Sequence, residues 1–230
     1  NKLSYMKKLA ILVGAIALTG STFAQKATTD NPFSLEGQLG FDASTLSFNA
    51  PTLRFRYFVT DNIAARLTLG IDNSSETFNY YETENTNGGG SGTEVNKTSM
   101  FNVAIGGEYH FAGTDRLSPY AGLDILIGSG SSTNDWSNYD GTGYNADFTA
   151  AIANKTSMFG VNLVAGADYY FAENFYLGME LGLGFGATTV KEGTSDITTG
   201  GVTVSNVDNE EKYSGFGNNF IGNFRLGWRF

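Results

Sequence analysis

The chain has 230 residues, with 30 Gly, 18 Phe, 12 Tyr, 3 Pro, one His, no Cys and a formal net charge of −9. That composition excludes a disulfide framework, a thiolate metal site and a lipid-bearing N-terminal cysteine, and the acidic sign is wrong for binding nucleic acid. No apolar run approaches the roughly 20 residues of a membrane helix, but a spanning strand needs only about 10 residues of alternating polarity.

The N-terminus reads as an export signal. Met6-Lys7-Lys8 is a short basic start, LAILVGAIAL (9–18) is a ten-residue apolar core, and TGSTFA leads to a cleavage site after Ala24. The residues before Met6 read as upstream translation or an alternative start. Residues 1–24 are thus upstream residues plus signal peptide, and 25–230 one mature domain. Loss of three lysines leaves 23 acids against 11 bases, a net charge of −12.

From there, period-2 alternation predicts eight strands, at about 33–41, 52–59, 63–71, 99–111, 119–128, 157–171, 175–187 and 217–230. In the third, Ile63, Ala65, Leu67, Leu69 and Ile71 face one way, and Ala64, Arg66, Thr68 and Gly70 the other. The seventh sets Phe175, Leu177, Met179, Leu181, Leu183 and Phe185 against Tyr176, Gly178, Glu180, Gly182 and Gly184. Three connections are short (60–62, 113–118, 172–174). The others, about 42–51, 72–98, 129–156 and 188–216, are long and rich in Asn, Ser, Thr and Gly. Strict alternation of short and long places the long ones at one end of an up-and-down meander. A segment such as 84–94, without an apolar residue, is expected to be mobile. NKTSMF occurs at 96–101 and again at 154–159, and RYFV, EYHF, DYYF and GWRF are equivalent strand ends at 56–59, 108–111, 168–171 and 227–230.

The charges orient the two faces. Arg54, Arg56, Arg66, Arg225 and Arg229 fall on the polar face, with Glu36, Glu108, Asp124, Asp168 and Glu180 beside them by parity; no lysine is expected in a strand. A confined space favours arginine, whose planar fork pairs bidentately with carboxylates. The opposite face is Leu, Ile, Val, Phe, Ala and Met, as lipid requires. Aromatics gather toward both strand ends: Tyr57, Tyr109, Phe111, Tyr169, Phe171, Phe175, Trp228 and Phe230 near the short turns, and Phe41, Phe101, Phe159 and Phe185 near the long loops. These read as two interfacial girdles. The fold class is therefore all-β: an eight-stranded antiparallel up-and-down transmembrane β-barrel with a polar lumen, long extracellular loops and short periplasmic turns.

The lysine-led signal, the eight strands, the YF-x-x-N (170–174) and SPYAGLD (118–124) phrases and the terminal Trp-Arg-Phe resemble the small outer-membrane β-barrel proteins of the OmpA/OmpX/OmpW type. The resemblance implies an outer-membrane location in a Gram-negative bacterium and contact with outer-membrane lipid and lipopolysaccharide. It also implies recognition by the barrel assembly machinery through Phe224, Leu226, Trp228 and Phe230. Arg225 stands where that signal usually has glycine, and Gly227 lies two residues later. No peptidoglycan-binding domain follows, so a barrel alone is expected.

Candidate chemistry is sparse. His110, level with Phe58, Tyr170 and Arg229, reads as an interior or interfacial packing residue; with no second His and no Cys, N/S metal chemistry is excluded. GLGFGA (182–187) lies inside a strand with no helix after it, so it does not read as a phosphate loop. In 134–147, Asn138, Asp140, Gly141 and Asp147 have spacings like a calcium loop, but Trp136 fills the first ligand position. No cofactor or metal is implied. The ten interior charges are the strongest constellation. They indicate a plug for a non-enzymatic barrel serving membrane integrity or surface interaction, with acidic loops contacting surface ligands. The alternative is a narrow gated channel or transporter for small polar or hydrophobic solutes. A surface enzyme, and a soluble periplasmic ligand-binding barrel with the faces inverted, are the weaker rivals.

Overall fold

Side chains alternate across a strand, and a sheet that closes on itself turns that alternation into an inside and an outside. The computed structural model describes residues 29–41, 52–83, 89–217 and 222–230; the signal-peptide reading for 1–24 and the first long connection, 42–51, lie outside them. The strands are β1 Phe33–Phe41, β2 Thr52–Thr60, β3 Ile63–Glu82, β4 Gly90–His110, β5 Leu117–Tyr139, β6 Tyr144–Ala172, β7 Phe175–Val190, β8 Gly193–Thr199, β9 Val202–Asp208, β10 Glu211–Gly217 and β11 Gly222–Arg229. Every pairing is antiparallel. Eight strands form a ring, β1 to β7 in sequence and then β11, which pairs with both β7 and β1.

The eight alternating runs are the eight members of this ring, but three of the long connections are not loops. β3 and β4 pair without a register break from Ile63↔Tyr109 to Glu82↔Gly90, and β6 extends over 29 residues. β8 runs on past the end of β7 along β6, after a break at which Lys191 N donates to Lys155 O at 2.8 Å. β9 and β10 return along β8 and β7, through a two-residue turn at Gly200 and Gly201 with φ of 57° and 77°, the left-handed pair of a tight hairpin. Residues 89–94 thus belong largely to β4 rather than to a mobile loop. Once the ring holds neighbouring strands in register, further residues pair without a new loop to close. An aromatic cluster also packs the projecting sheet: Tyr139 lies 4.9 Å from Tyr80, 5.7 Å from Phe78 and 5.9 Å from Trp136, ring to ring.

The expectation that no lysine lies in a strand is overturned by the same extension, since Lys97, Lys155 and Lys212 sit in β4, β6 and β10. The calcium-like segment is also a hairpin. Asp140 Oδ1 accepts from Thr142 Oγ1 at 2.7 Å, Thr142 N at 3.0 Å and Gly143 N at 3.1 Å. These bonds, the Thr142 hydroxyl first, hold its carboxyl down to about 2.

The short turns close the other end. Thr60 Oγ1 accepts from Ile63 N at 3.0 Å, Thr114 Oγ1 from Leu117 N at 3.0 Å, and Asn62 Nδ2 donates to His110 O at 2.9 Å. Around the ring the outward side chains are the apolar ones. Leu67, Ile105, Leu123, Ile125, Leu163, Leu181 and Leu226 are all exposed, whereas the five arginines and five carboxylates predicted for the interior are buried.

Candidate functional site

The ring strands present short and long polar side chains inward by simple parity. β1 contributes Ser34, Glu36 and Gln38; β2 Arg54 and Arg56; β3 Arg66 and Thr68; β4 Glu108 and His110; β5 Ser118, Tyr120 and Asp124; β6 Asp168; β7 Tyr176 and Glu180; and β11 Arg225. All are buried.

Nine of the ten predicted interior charges meet in one contiguous network. Arg54 forks onto Glu180, Nη1 to Oε2 and Nη2 to Oε1, both at 2.9 Å, and donates Nε to Thr68 Oγ1 at 3.0 Å. Arg56, 1 % exposed, lies against three carboxylates: Glu36 at 2.5 Å, Glu108 at 2.7 Å and Asp168 at 2.8 Å. Its guanidinium also stands 5.0 Å from the centre of the Tyr176 ring. Arg66 forks onto Asp124, with Nε to Oδ1 at 2.6 Å, and reaches Glu180 at 2.8 Å and Glu108 at 3.2 Å. Arg225 bridges Glu36 at 3.0 Å and Asp168 at 2.7 Å. The tenth, Arg229, is at the short-turn end, donating Nη2 to Glu173 O at 3.3 Å and standing 5.9 Å from the Tyr170 ring.

The pairings follow from the register and from glycine. Arg66, Gly106 and Asp124 are directly opposite one another on β3, β4 and β5. Tyr120, Gly166 and Glu180 align in the same way on β5, β6 and β7, Asp168, Gly178 and Arg225 on β6, β7 and β11, and Tyr176, Gly227 and Glu36 on β7, β11 and β1. In each triplet the two outer side chains bond over the glycine between them. Tyr120 Oη donates to Glu180 Oε2 at 2.6 Å and Tyr176 Oη to Glu36 Oε1 at 2.8 Å. The inward glycines therefore open a second-neighbour reach of about 9–10 Å between strands. A Cβ at Gly166 would stand 2.5 Å from Met179 O and 2.6 Å from Tyr120 Cζ. Gly166→Val is expected to cost about 1–3 kcal/mol in urea unfolding. Gly186→Val, where a Cβ meets nothing within 4 Å, should stay within about 0.5 kcal/mol. Equal losses would remove the reach from the account.

Sequence reasoning missed the neutral members. Tyr120 and Tyr176 share the inward parity, and each stands two strands from a carboxylate across a glycine, a signal that becomes readable only with the register. His110 packs between Phe58 at 5.1 Å and Tyr120 at 5.2 Å, close to its expected place. Its Nε2 faces Glu108 Oε1 at 3.0 Å and its Nδ1 faces Ser118 Oγ at 2.7 Å. Among the described residues no group of three or more His, Cys, Asp or Glu is arranged to hold a metal ion.

The outer wall carries the aromatics. Near the short turns Phe33 stacks between Tyr57 at 5.1 Å and Phe230 at 6.0 Å, and Trp228 meets Phe230 at 4.7 Å. Phe224, Leu226, Trp228 and Phe230 are all exposed on that wall. At the far side of the apolar band Phe101, Phe159 and Phe185 are exposed; the side chain of Phe41 is outside those described.

No protein of curated function matches the chain. A solved structure described as a KdgM porin in complex with disordered oligogalacturonate aligns over 86 % of this chain and 99 % of its own, at 12 % identity and a TM-score of 0.19. That likeness is too weak to bear on fold or ligand. The model of the OmpA-OmpF-like porin family matches residues 45–183, from just before β2 to within β7. With that match spanning five of the eight ring strands and part of a sixth, the chain belongs to the OmpA-OmpF-like porin family.

Proposed function

We propose that the ring is a transmembrane β-barrel of a Gram-negative outer membrane, with its short turns in the periplasm and its long hairpins outside. Its interior is a closed ionic plug, and its role is non-enzymatic: membrane integrity and surface interaction through the projecting sheet. The observation that carries this reading is the inversion of the faces. Leucine at 56 % exposure on the outside (Leu163) and arginine at 1 % inside (Arg56) oppose what water selects. Lipid selects it instead. Family membership supports the same placement. A crossing needs only 9–11 residues per strand, so the 29 residues of β6 leave more than half its length outside the bilayer.

Ser118, His110 and Glu108 have the hydrogen-bond order of a nucleophile, base and acid, but Ser118 and His110 are 3 % and 2 % exposed, which leaves a substrate no approach. The barrel-assembly role of Phe224, Leu226, Trp228 and Phe230 belongs to this proposal too, supported by their shared outward face.

A gated channel is the second reading, and one observation favours it. Glu180 Oε2 is shared by Arg54 at 2.9 Å, Arg66 at 2.8 Å and the Tyr120 hydroxyl at 2.6 Å, with Arg225 at 3.9 Å. Alternative partners of comparable distance are what a switching network requires. Single-channel recording in a planar bilayer separates the two. The plug predicts a silent wild type, and discrete openings once Glu180→Ala or Arg66→Ala removes a shared partner. Discrete openings in the wild type that those changes alter would establish the channel.

A further inference from the structure

Three outward stripes on the wall have the same composition. On β4, Lys97, Ser99 and Phe101 follow one another at alternate positions; on β6, Lys155, Ser157 and Phe159; on β10, Lys212, Ser214 and Phe216. The first two are the NKTSMF repeat, and the third, KYSGF, keeps only Lys-x-Ser-x-Phe. The ladders between these positions carry no register shift, so Lys97 shares its face with the lipid-side Ile105. Lys212, Ser214 and Phe216 pair with Thr189, Ala187 and Phe185 of the same outer wall. The stripes occupy every second strand, with β5 and β7 between. Ser131 lies opposite Ser99 on one side and Lys155 on the other, and Thr133 lies opposite Lys97.

The lysines are exposed. Lys212 meets Glu210 at 2.6 Å in a solvent-exposed pair, of the kind that competes poorly with a better anion. Lys97 borders a shallow cavity of about 440 Å³ whose polar lining includes Asn73, Ser75, Ser99, Ser131 and Thr133. On a chain with 23 acids against 14 bases, three cations on three strands recur at one distance beyond the apolar band.

Geometry supplies a reason. Four residues of strand carry a lysine about 13 Å past its phenylalanine. At a tilt of about 45° this is about 9 Å along the membrane normal. The polar layer of a bilayer extends roughly 5–8 Å beyond each side of its hydrocarbon core, and a lysine stem bends back toward that level.

We propose that Lys97, Lys155 and Lys212, with the hydroxyls between them, form a belt that binds the phosphates of anionic glycolipid headgroups in the outer leaflet. The belt rests on the outer-membrane reading. Its ligand is a phosphate monoester on a lipid, held by lysines whose strand positions are two strands across and two residues along from one another, about 12 Å apart, with Ser and Thr hydroxyls as additional donors. The acidic hairpins beyond it face water.

The test folds the full chain into phosphatidylcholine vesicles containing bis-phosphorylated lipid A, confirms folding by the shifted band of an unheated gel, and counts retained lipid A by native mass spectrometry. The wild type should retain lipid A at least tenfold better than its fully dephosphorylated form. Lys97→Gln, Lys155→Gln and Lys212→Gln should each weaken retention about fivefold, and the triple variant on the order of 100-fold. Arg116→Gln, at the short-turn end, should leave it unchanged. Equal retention of both lipids by the wild type, or no loss in single and triple variants that fold, overturns the belt while the barrel stands. A wild type that yields no shifted band in vesicles overturns the barrel reading itself, and the belt with it.

Discussion

Arg56→Ala is expected to destabilise the folded protein by about 3–5 kcal/mol, the largest effect of any single interior truncation. Removing one member of a buried ionic cluster leaves its partners charged and dry, which costs more than the pair contributed. Arg56 is the extreme case because three carboxylates, Glu36, Glu108 and Asp168, converge on one guanidinium within 2.8 Å. It also lies directly opposite Arg66 across the β2–β3 ladder, a like-charge juxtaposition that those carboxylates neutralise. The Tyr176 ring 5.0 Å away adds a cation–π contact, which the truncation also removes. The measurement is the urea midpoint of the shifted band on unheated gels. A loss below 1 kcal/mol for Arg56→Ala would mean that water reaches the interior carboxylates and that the plug is open.

Leu163→Arg is expected to cost about 2–4 kcal/mol when the protein folds into lipid vesicles. Leu163 stands on the outer wall opposite Leu123 of β5 and Leu183 of β7, midway along the apolar stretch of β6, and is 56 % exposed. On a water-washed surface the same change would fall within about 0.5 kcal/mol, so its size reports what bathes the wall. Ser137→Arg, on the same face of β5 but exposed and beyond both the apolar band and the lysines, is the matched control and should be near neutral. If both variants fold into vesicles as well as the wild type, the apolar wall does not face hydrocarbon.

Parity alone sorted the interior from the wall. Arg54, Arg66 and Glu180 fall on one face and Leu67, Leu163 and Leu181 on the other because a strand repeats every two residues, and a closed sheet keeps that division all the way round. The long hairpins were illegible for the complementary reason. Segments 72–82 and 129–139 carry Ser, Asn, Thr and acidic residues at both parities, so no apolar alternation marks them, and their strand character comes from neighbours already aligned by the ring. The Lys-x-Ser-x-Phe stripes were hidden by the same step: Lys97 and Lys155 become wall residues only when β4 and β6 extend to include them.

Sequence by itself determined the eight ring strands, the inward arginines and carboxylates, the outward apolar band and the alternation of connection lengths, since each is local in the chain. The tertiary structure decided which charge meets which. Arg66 finds Asp124, and Arg225 finds Asp168, because the register places a glycine between them on the intervening strand, and registers are set by the closure of the whole sheet. No stretch of residues read alone contains that information, because the partners are separated by 58 and 57 positions.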